Sequence, residues 1–269
     1  MTASPAAGAA ADLGAALATP LWLHRTTPFP HWWARDVFTP PAYQLLEEAF
    51  RARVERRASD PKGGFARSMP TSDALALLFD PGFDGPLSLF LSRAWRDLVG
   101  AVTGMRLTEH VSGGLHHHPV GDPDGFIHSD FNVGWFVHQP REDGIVVADH
   151  TACRYGTGEP RRTGVEPRPY LRAVSVLFYL ANPPWSGGGG TALFRRRDDP
   201  LHAAAAEVPP LNNSLVLFPC TPYSFHAFLG NRRHPRSSVA MWFHRTLGDA
   251  AEQWGEPATA GALRRARPR

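Results

Sequence analysis

The chain has 269 residues, 43% of them apolar, and a formal charge of +3. That length suits one large domain or a domain with an added cap, and no apolar run approaches a membrane span. Two cysteines, Cys153 and Cys220, with no CxxC pair, exclude a disulfide framework and a zinc knuckle and point to a reduced, cytoplasmic setting. Almost all of the basic charge is arginine, and the clusters Arg195-Arg196-Arg197 and Arg264-Arg265 lack interleaved aromatics, so they read as solvated surface and no nucleic-acid partner is expected.

Residues 1–20 are rich in Ala, Thr and Pro without the basic flank and apolar run of a secretory signal, and read as a flexible leader with a short helix near Asp12 to Ala18. Residues 21–104 read as a helical part that packs on the core. Thr39 can cap a helix opened by Pro40 and Pro41, with Tyr43, Leu46, Phe50 and Val54 at helical spacing. Asp60 to Met69 reads as loop. A second helix is expected from Pro86 to Val102, carried by Leu87, Leu91, Trp95, Leu98 and Val102, with Gly104 as its stop.

From Leu107 the pattern changes to short strands separated by Gly and Pro, as in a sandwich or barrel of antiparallel sheets. Strands are expected within Phe126 to Val137, Gly144 to Ala148, Leu171 to Leu180, Ser214 to Phe218 and Ser237 to His244. The core is taken as 105–248, with a long insertion over about 137–169 that is a lid candidate. A weakly patterned tail follows over 249–269. The fold class is therefore mainly β with a helical N-terminal part.

Strand alternation lets His128 and Asp130 of His128-Ser129-Asp130 point the same way. With His226, which follows a strand through a short turn, they offer two imidazoles and a carboxylate, a set that leaves half of an iron(II) octahedron open. Arg236 and Ser238 share a strand face beyond His226, and a guanidinium fork with a hydroxyl suits a carboxylate. In His116-His117-His118 at most two rings can converge; as residues alone they read first as polar strand and loop residues, with His116 or His118 able to line a rim. Asp149-His150 is a weaker metal alternative, and His244 reads as structural. Trp135, just after the first ligands, and Arg154 and Arg172 are candidate substrate contacts. Arg172 could equally pair with a carboxylate.

These residues resemble the 2-oxoglutarate and iron(II)-dependent oxygenases, particularly the prolyl-4-hydroxylase-like branch, over about Met105 to Arg245. Five segments carry the likeness in order. His118-Pro119-Val120-Gly121 stands where the family commonly has Tyr-x-x-Gly. His128-Ser129-Asp130 follows it. Ala173 to Asn182 resembles the buried strand ending in Tyr-Leu-Asn, and Gly188 to Phe194 the Gly-Gly turn and strand. Ser214 to Phe218 precedes His226, and Arg236-Ser237-Ser238 closes the pattern.

The resemblance implies a double-stranded β-helix, or jelly roll, with His128, Asp130 and His226 holding Fe(II). It implies 2-oxoglutarate as co-substrate, its far carboxylate clamped by Arg236 with Ser238, and His118 and Tyr179 beside it. O2 is the oxidant, and ascorbate a candidate reductant. An acid at Asp130 favours oxygenation over halogenation, since halogenating relatives carry a small residue there. The expected activity is hydroxylation of a small molecule such as an amino acid or natural-product intermediate. Peptidyl hydroxylation, desaturation, cyclisation or epimerisation are alternatives within the same chemistry, and a metal-free jelly-roll binding protein is the alternative outside it. Oligomeric state is left open.

Overall fold

The computed structural model describes residues 13–18, 21–59, 66–67 and 74–266. In chain order, α1 (Leu13–Ala16) leads into β1 (Leu23–Arg25) and β2 (His31–Arg35). Then come α2 (Pro40–Ser59), β3 (Ala66–Arg67), β4 (Leu75–Leu78), a 3-10 turn over Pro86–Leu91 and α3 (Arg93–Thr103). The β-rich part runs β5 (His110–His118), β6 (His128–Ser129), β7 (Val133–Phe136), β8 (Val146–Val147), β9 (Arg168–Tyr179) and β10 (Thr191–Phe194). It continues with β11 (Ala206–Val208), β12 (Ser214–Pro219), β13 (Phe225–Phe228) and β14 (Arg236–Arg245), before α4 (Leu247–Trp254) and α5 (Glu256–Arg265).

The strands form a larger sheet in the order β1-β2-β12-β9-β14-β5-β4-β3 and a smaller one in the order β11-β10-β13-β6. This is the double-stranded β-helix implied by the family resemblance, where the strand pattern alone suggests a sandwich or barrel of antiparallel sheets. Alternation along the larger sheet divides its side chains cleanly. Val174, Val176 and Phe178 of β9, Leu215 and Leu217 of β12 and Val239, Met241 and Phe243 of β14 turn towards the helices. There they meet Phe38, Phe50, Phe90 and Trp95 in the main core. The opposite face carries Tyr179, Val216 and Phe218, which pack on Leu193 and Val208 of the smaller sheet.

The helical layer departs from the expected pattern at one point. Ser92 interrupts the Pro86 to Val102 helix: its backbone is extended and its Oγ accepts from Trp95 N, so it caps α3 and leaves a tight turn before it. The apolar spacing continues across the break, because Leu87, Leu91 and Trp95 are all buried in one core. Part of the presumed leader is also packed. Leu13 and Ala16 are buried, Ala18 N donates to Val37 O, and Thr39 N donates to Ala16 O. The rest of 1–20 lies outside the described residues, as does most of the loop expected over Asp60 to Met69.

Two further segments are more ordered than their composition suggests. The weakly patterned tail forms α4 and α5, which bury Ala250, Ala262 and Ala266 against Phe131, Val133 and Leu171. Small alanines pack closely there without producing a large-residue stripe. The long insertion is strapped to the larger sheet. Trp135 N donates to Tyr155 O, and the Tyr155 ring lies on Gly134, where a Cβ would come within 2.3 Å of it. Gly158, at φ +73°, presses equally closely on the Trp135 ring, so both positions require glycine.

β5, on both of its faces, and the strands around it bury several imidazoles. Burial drives His116 down to about 4 and holds His110, His117, His118 and His244 below the usual histidine range. These groups are neutral in the folded chain and take up protons only on unfolding. Stability is therefore fully present above about pH 6.5 and declines as pH falls through that value towards about 4. Urea titrations of metal-free protein between pH 7.5 and 4.5 should show a falling midpoint; a flat profile would contradict neutral burial. Phe178, between Phe38 at 5.2 Å and Phe90 at 5.3 Å, joins helices to sheet. Phe178→Ala should lower unfolding stability by about 3–5 kcal/mol, read from the same titration at pH 7.5.

Candidate iron and 2-oxoglutarate site

The smaller sheet brings two of the three ligand candidates together by register. β13 pairs antiparallel with β6, and His226 lies directly opposite His128. Their rings are 4.4 Å apart between centroids. Asp130 follows β6 immediately, where the chain leaves the sheet: Asn132 N turns back to Asp130 O, and Arg172 N donates to Asn132 O. The strand expected through Phe126 to Val137 is thus broken into β6 and β7 at the acid itself. The break swings Asp130 between the two sheets, with its Oδ2 3.5 Å from His226 Nε2 and its Oδ1 3.8 Å from His128 Nε2. The three ligand atoms lie within 4.8 Å of one another.

The imidazoles are oriented for this geometry. His128 Nδ1 lies 2.9 Å from Phe126 O and His226 Nδ1 lies 3.2 Å from Ser224 O. Each Nδ1–H donates to a carbonyl, which leaves both Nε2 lone pairs directed at the space beside Asp130. The carboxylate is held more firmly still. Arg172 donates to Oδ1 at 3.1 Å, while Ser175 Oγ and Trp242 Nε1 each donate to Oδ2 at 2.7 Å. Burial works to raise the Asp130 carboxyl, but its neighbours His226, Arg172 and His128 hold it well below the usual carboxylate range. It is charged at any working pH, as a hard ligand for a ferrous ion must be.

A cavity of about 290 Å³ runs from these three residues along the face shared by β5, β9 and β14 to Arg236. Arg236 is 4% exposed and sits opposite His118 on the neighbouring strand. Its guanidinium carbon lies 5.2 Å from the Tyr179 ring and 5.2 Å from the Phe228 ring. One Nη reaches Thr191 Oγ1 at 3.5 Å, and the Tyr179 hydroxyl meets the same oxygen at 2.7 Å. Among the described residues no carboxylate pairs with Arg236, and its Nε and the Ser238 Oγ are buried without a partner. A buried cation with open donors beside an open hydroxyl fits an incoming carboxylate, and the imidazole–carboxylate trio fits a divalent metal.

The remaining candidates divide. His118 stacks on Phe228 at 4.2 Å between centroids and is fixed by Asp122 Oδ2 at 2.5 Å; with His116 it lines the cavity, while His117 turns to the other face and meets Ser237 Oγ. Arg172 is committed to Asp130 and stacks over Trp242 at 3.9 Å. Trp135 is not among the cavity walls: it packs towards α4 and α5 under Gly158. Arg154 is exposed on the insertion and pairs with Glu159 at 2.9 Å. Trp242 and Ser175 touch Asp130 and were not singled out from sequence as site residues. The strand spacing Arg236-Ser238-Ala240-Trp242 carries the signal for the tryptophan, since all four share a face. His244 leaves that series at a bulge after Phe243 and bonds instead to Tyr155 Oη at 2.7 Å and His110 O at 3.0 Å.

Comparison with known proteins agrees with this arrangement. Residues 128–244 match the 2OG-Fe(II) oxygenase superfamily. No curated protein sequence matches the chain. Among solved structures, a prolyl-4-hydroxylase from Pseudomonas putida is 20% identical with a TM-score of 0.50, over 80% of this chain and 92% of that one. A prolyl hydroxylase from Trichoplax adhaerens, solved with a hypoxia inducible factor peptide fragment, is 15% identical with a TM-score of 0.51, over 86% of each chain. EctD from S. alaskensis with bound Fe is 15% identical with a TM-score of 0.51, over 81% of this chain and 73% of that one. These likenesses share the fold, and the family match spans all three ligand candidates and the arginine. Residues 128–244 thus carry the likeness to the 2OG-Fe(II) oxygenase superfamily, an enzyme family of iron(II), 2-oxoglutarate and dioxygen.

Proposed function

We propose that this chain is a 2-oxoglutarate-dependent dioxygenase that hydroxylates a small molecule, with His128, Asp130 and His226 as the iron ligands and Arg236, with Ser238, as the anchor for 2-oxoglutarate. The observation that carries the reading is the pairing, within one cavity, of a convergent two-histidine, one-carboxylate trio at one end and a buried, unpartnered guanidinium nitrogen at the other. When bound, iron(II) supplies the oxidising chemistry, coupling decarboxylation of 2-oxoglutarate to insertion of oxygen into a substrate C–H bond.

The chain's own residues bind, orient and exclude. Arg236 and Ser238 neutralise the far carboxylate of 2-oxoglutarate and set its direction along the cavity. Thr191, already tied to the Tyr179 hydroxyl, fixes the guanidinium plane. Phe228 and the His118 ring stacked on it close the side of the channel to water. Ser175, Trp242 and Arg172 keep Asp130 charged and stationary, so it presents its oxygen in one direction only. A cavity of about 290 Å³ joined to a cleft of about 370 Å³ has the size of a small-molecule site, and this supports a free metabolite over a polypeptide. No described helix is long and apolar enough to cross a membrane.

Anaerobic reconstitution with iron(II) and 2-oxoglutarate, then exposure to air with an amino-acid and metabolite panel, tests the reaction. Substrate-dependent succinate with a product 16 mass units heavier is expected; a product two units lighter would replace hydroxylation by desaturation or ring closure. His226→Ala and Asp130→Ala should each weaken manganese(II) binding, measured by calorimetry, by at least ~100-fold, since loss of an orienting partner alone costs roughly 10–100-fold. Retained affinity in either variant would remove that residue from the ligand set. Arg236→Gln should raise the dissociation constant of 2-oxoglutarate by about 10–100-fold and leave metal affinity unchanged. An unaltered constant would sink the anchor assignment.

A further inference from the structure

A second cleft, of about 370 Å³, opens beside the metal cavity and shares two walls with it, His116 and Trp242. Its far wall is the strapped turn of the insertion from His150 to Arg161. Its floor is aromatic, made by Tyr155 and Trp242. Three arginines face it, Arg154, Arg161 and Arg172, and no acidic residue lines it.

The countercharges around these groups are unevenly distributed. Arg172 is spent on Asp130 at 3.1 Å. Arg154 pairs with Glu159 at 2.9 Å, with both side chains more than half exposed, so that contact is weak and readily exchanged. Asp149, on the same turn, binds its own backbone and Thr151 and lies 3.7 Å from Arg162. The Arg161 guanidinium has no hydrogen bond or ion pair among the described residues, although its backbone is held by the bond from its N–H to Ala152 O. Nearby, His150 Nε2 is buried without a partner. An open cation on a fixed backbone faces one cleft that leads to the metal cavity.

We infer that the substrate carries an anionic group, a carboxylate or a phosphate, which docks on Arg161 in this cleft while the rest of the molecule passes between His116 and Trp242 to the metal. The inference rests on the dioxygenase reading and narrows its substrate class. Arg161 supplies charge-assisted hydrogen bonds to the anion. The Tyr155 and Trp242 rings flank the adjoining apolar part. Arg161 is thereby a specificity residue: it selects anionic over neutral molecules and touches no reacting atom.

The test uses the full chain loaded with zinc(II) and saturating 2-oxoglutarate, which occupies Arg236. Phenyl phosphate and 3-phenylpropionate are titrated as probes, with benzyl alcohol and 3-phenylpropanamide as neutral counterparts, followed by tryptophan fluorescence and ligand-observed NMR. Both anions should bind more tightly than their neutral counterparts, and the stronger of the two identifies the headgroup. Arg161→Gln should weaken the anions about tenfold, Arg161→Lys should recover most of that loss, and neither should alter 2-oxoglutarate affinity. Equal binding of anions and neutral probes, or unchanged anion affinity in Arg161→Gln, would overturn the inference. Failure of the dioxygenase reading is separately visible as absent zinc or 2-oxoglutarate binding before any probe is added. Repeating the titration in Arg236→Gln protein, where the other open guanidinium is gone, then decides the role of Arg161 alone.

Discussion

A carboxylate taken out of water must be paired on every side or give up its charge, and Asp130 is the point at which this molecule meets that demand. Its donors come from two strands, Arg172 and Ser175 from β9 and Trp242 from β14, and the two imidazoles beside it come from β6 and β13. None of these can reach the acid unless the larger and smaller sheets lie face to face in their observed register. The jelly roll therefore does more than carry the trio. The trio's central charge is compatible only with a closed sandwich, and the sandwich leaves one polar face on which that charge is tolerable.

The same face shows how specificity is divided along single strands. On β14, Arg236, Ala240 and Trp242 line the cavity in succession, with the buried Ser238 on the same face between the first two. The small Ala240 at their centre leaves room between two polar termini. On β5, Ser112, Gly114, His116 and His118 repeat the pattern one strand over, opposite their partners on β14. Of the residues between them, Leu115, Val239 and Met241 serve the main core instead, while His117 pairs with Ser237. Each strand thus reads as two interleaved messages, one apolar for stability and one polar for chemistry.

Period-two alternation was legible where it was strong. β9, β12 and β14 could be placed from their Val, Leu and Phe content, and many such strands among Gly and Pro turns pointed to a sandwich or barrel, which the family resemblance narrowed to a jelly roll. His128, Asp130, His226 and Arg236, singled out by spacing and the family resemblance, line one cavity in the structure. Three things were hidden for physical reasons. The break at Ser92 preserves helical spacing of the buried residues on either side, so the stripe looks continuous while the backbone is not. The α4–α5 hairpin packs through alanines, which hydrophobic periodicity barely registers. Trp135 followed the ligands in sequence, but the turn at Asp130 to Asn132 sends it to the outside of the sheet, while Trp242, more than a hundred residues away, arrives at the carboxylate. Proximity along the chain was a poor guide wherever a turn intervened.

The C-terminal hairpin also touches the loop that carries the acid. Arg265, near the end of α5, donates to the carbonyl of Phe131, the residue next to Asp130, and the alanine face of the hairpin packs on the same Phe131 ring. The last helix is in this sense a splint for the ligand loop. Shortening the protein ahead of Arg265, or grafting a bulky purification handle directly onto that helix, would loosen the loop from outside without altering a single group in the cavity.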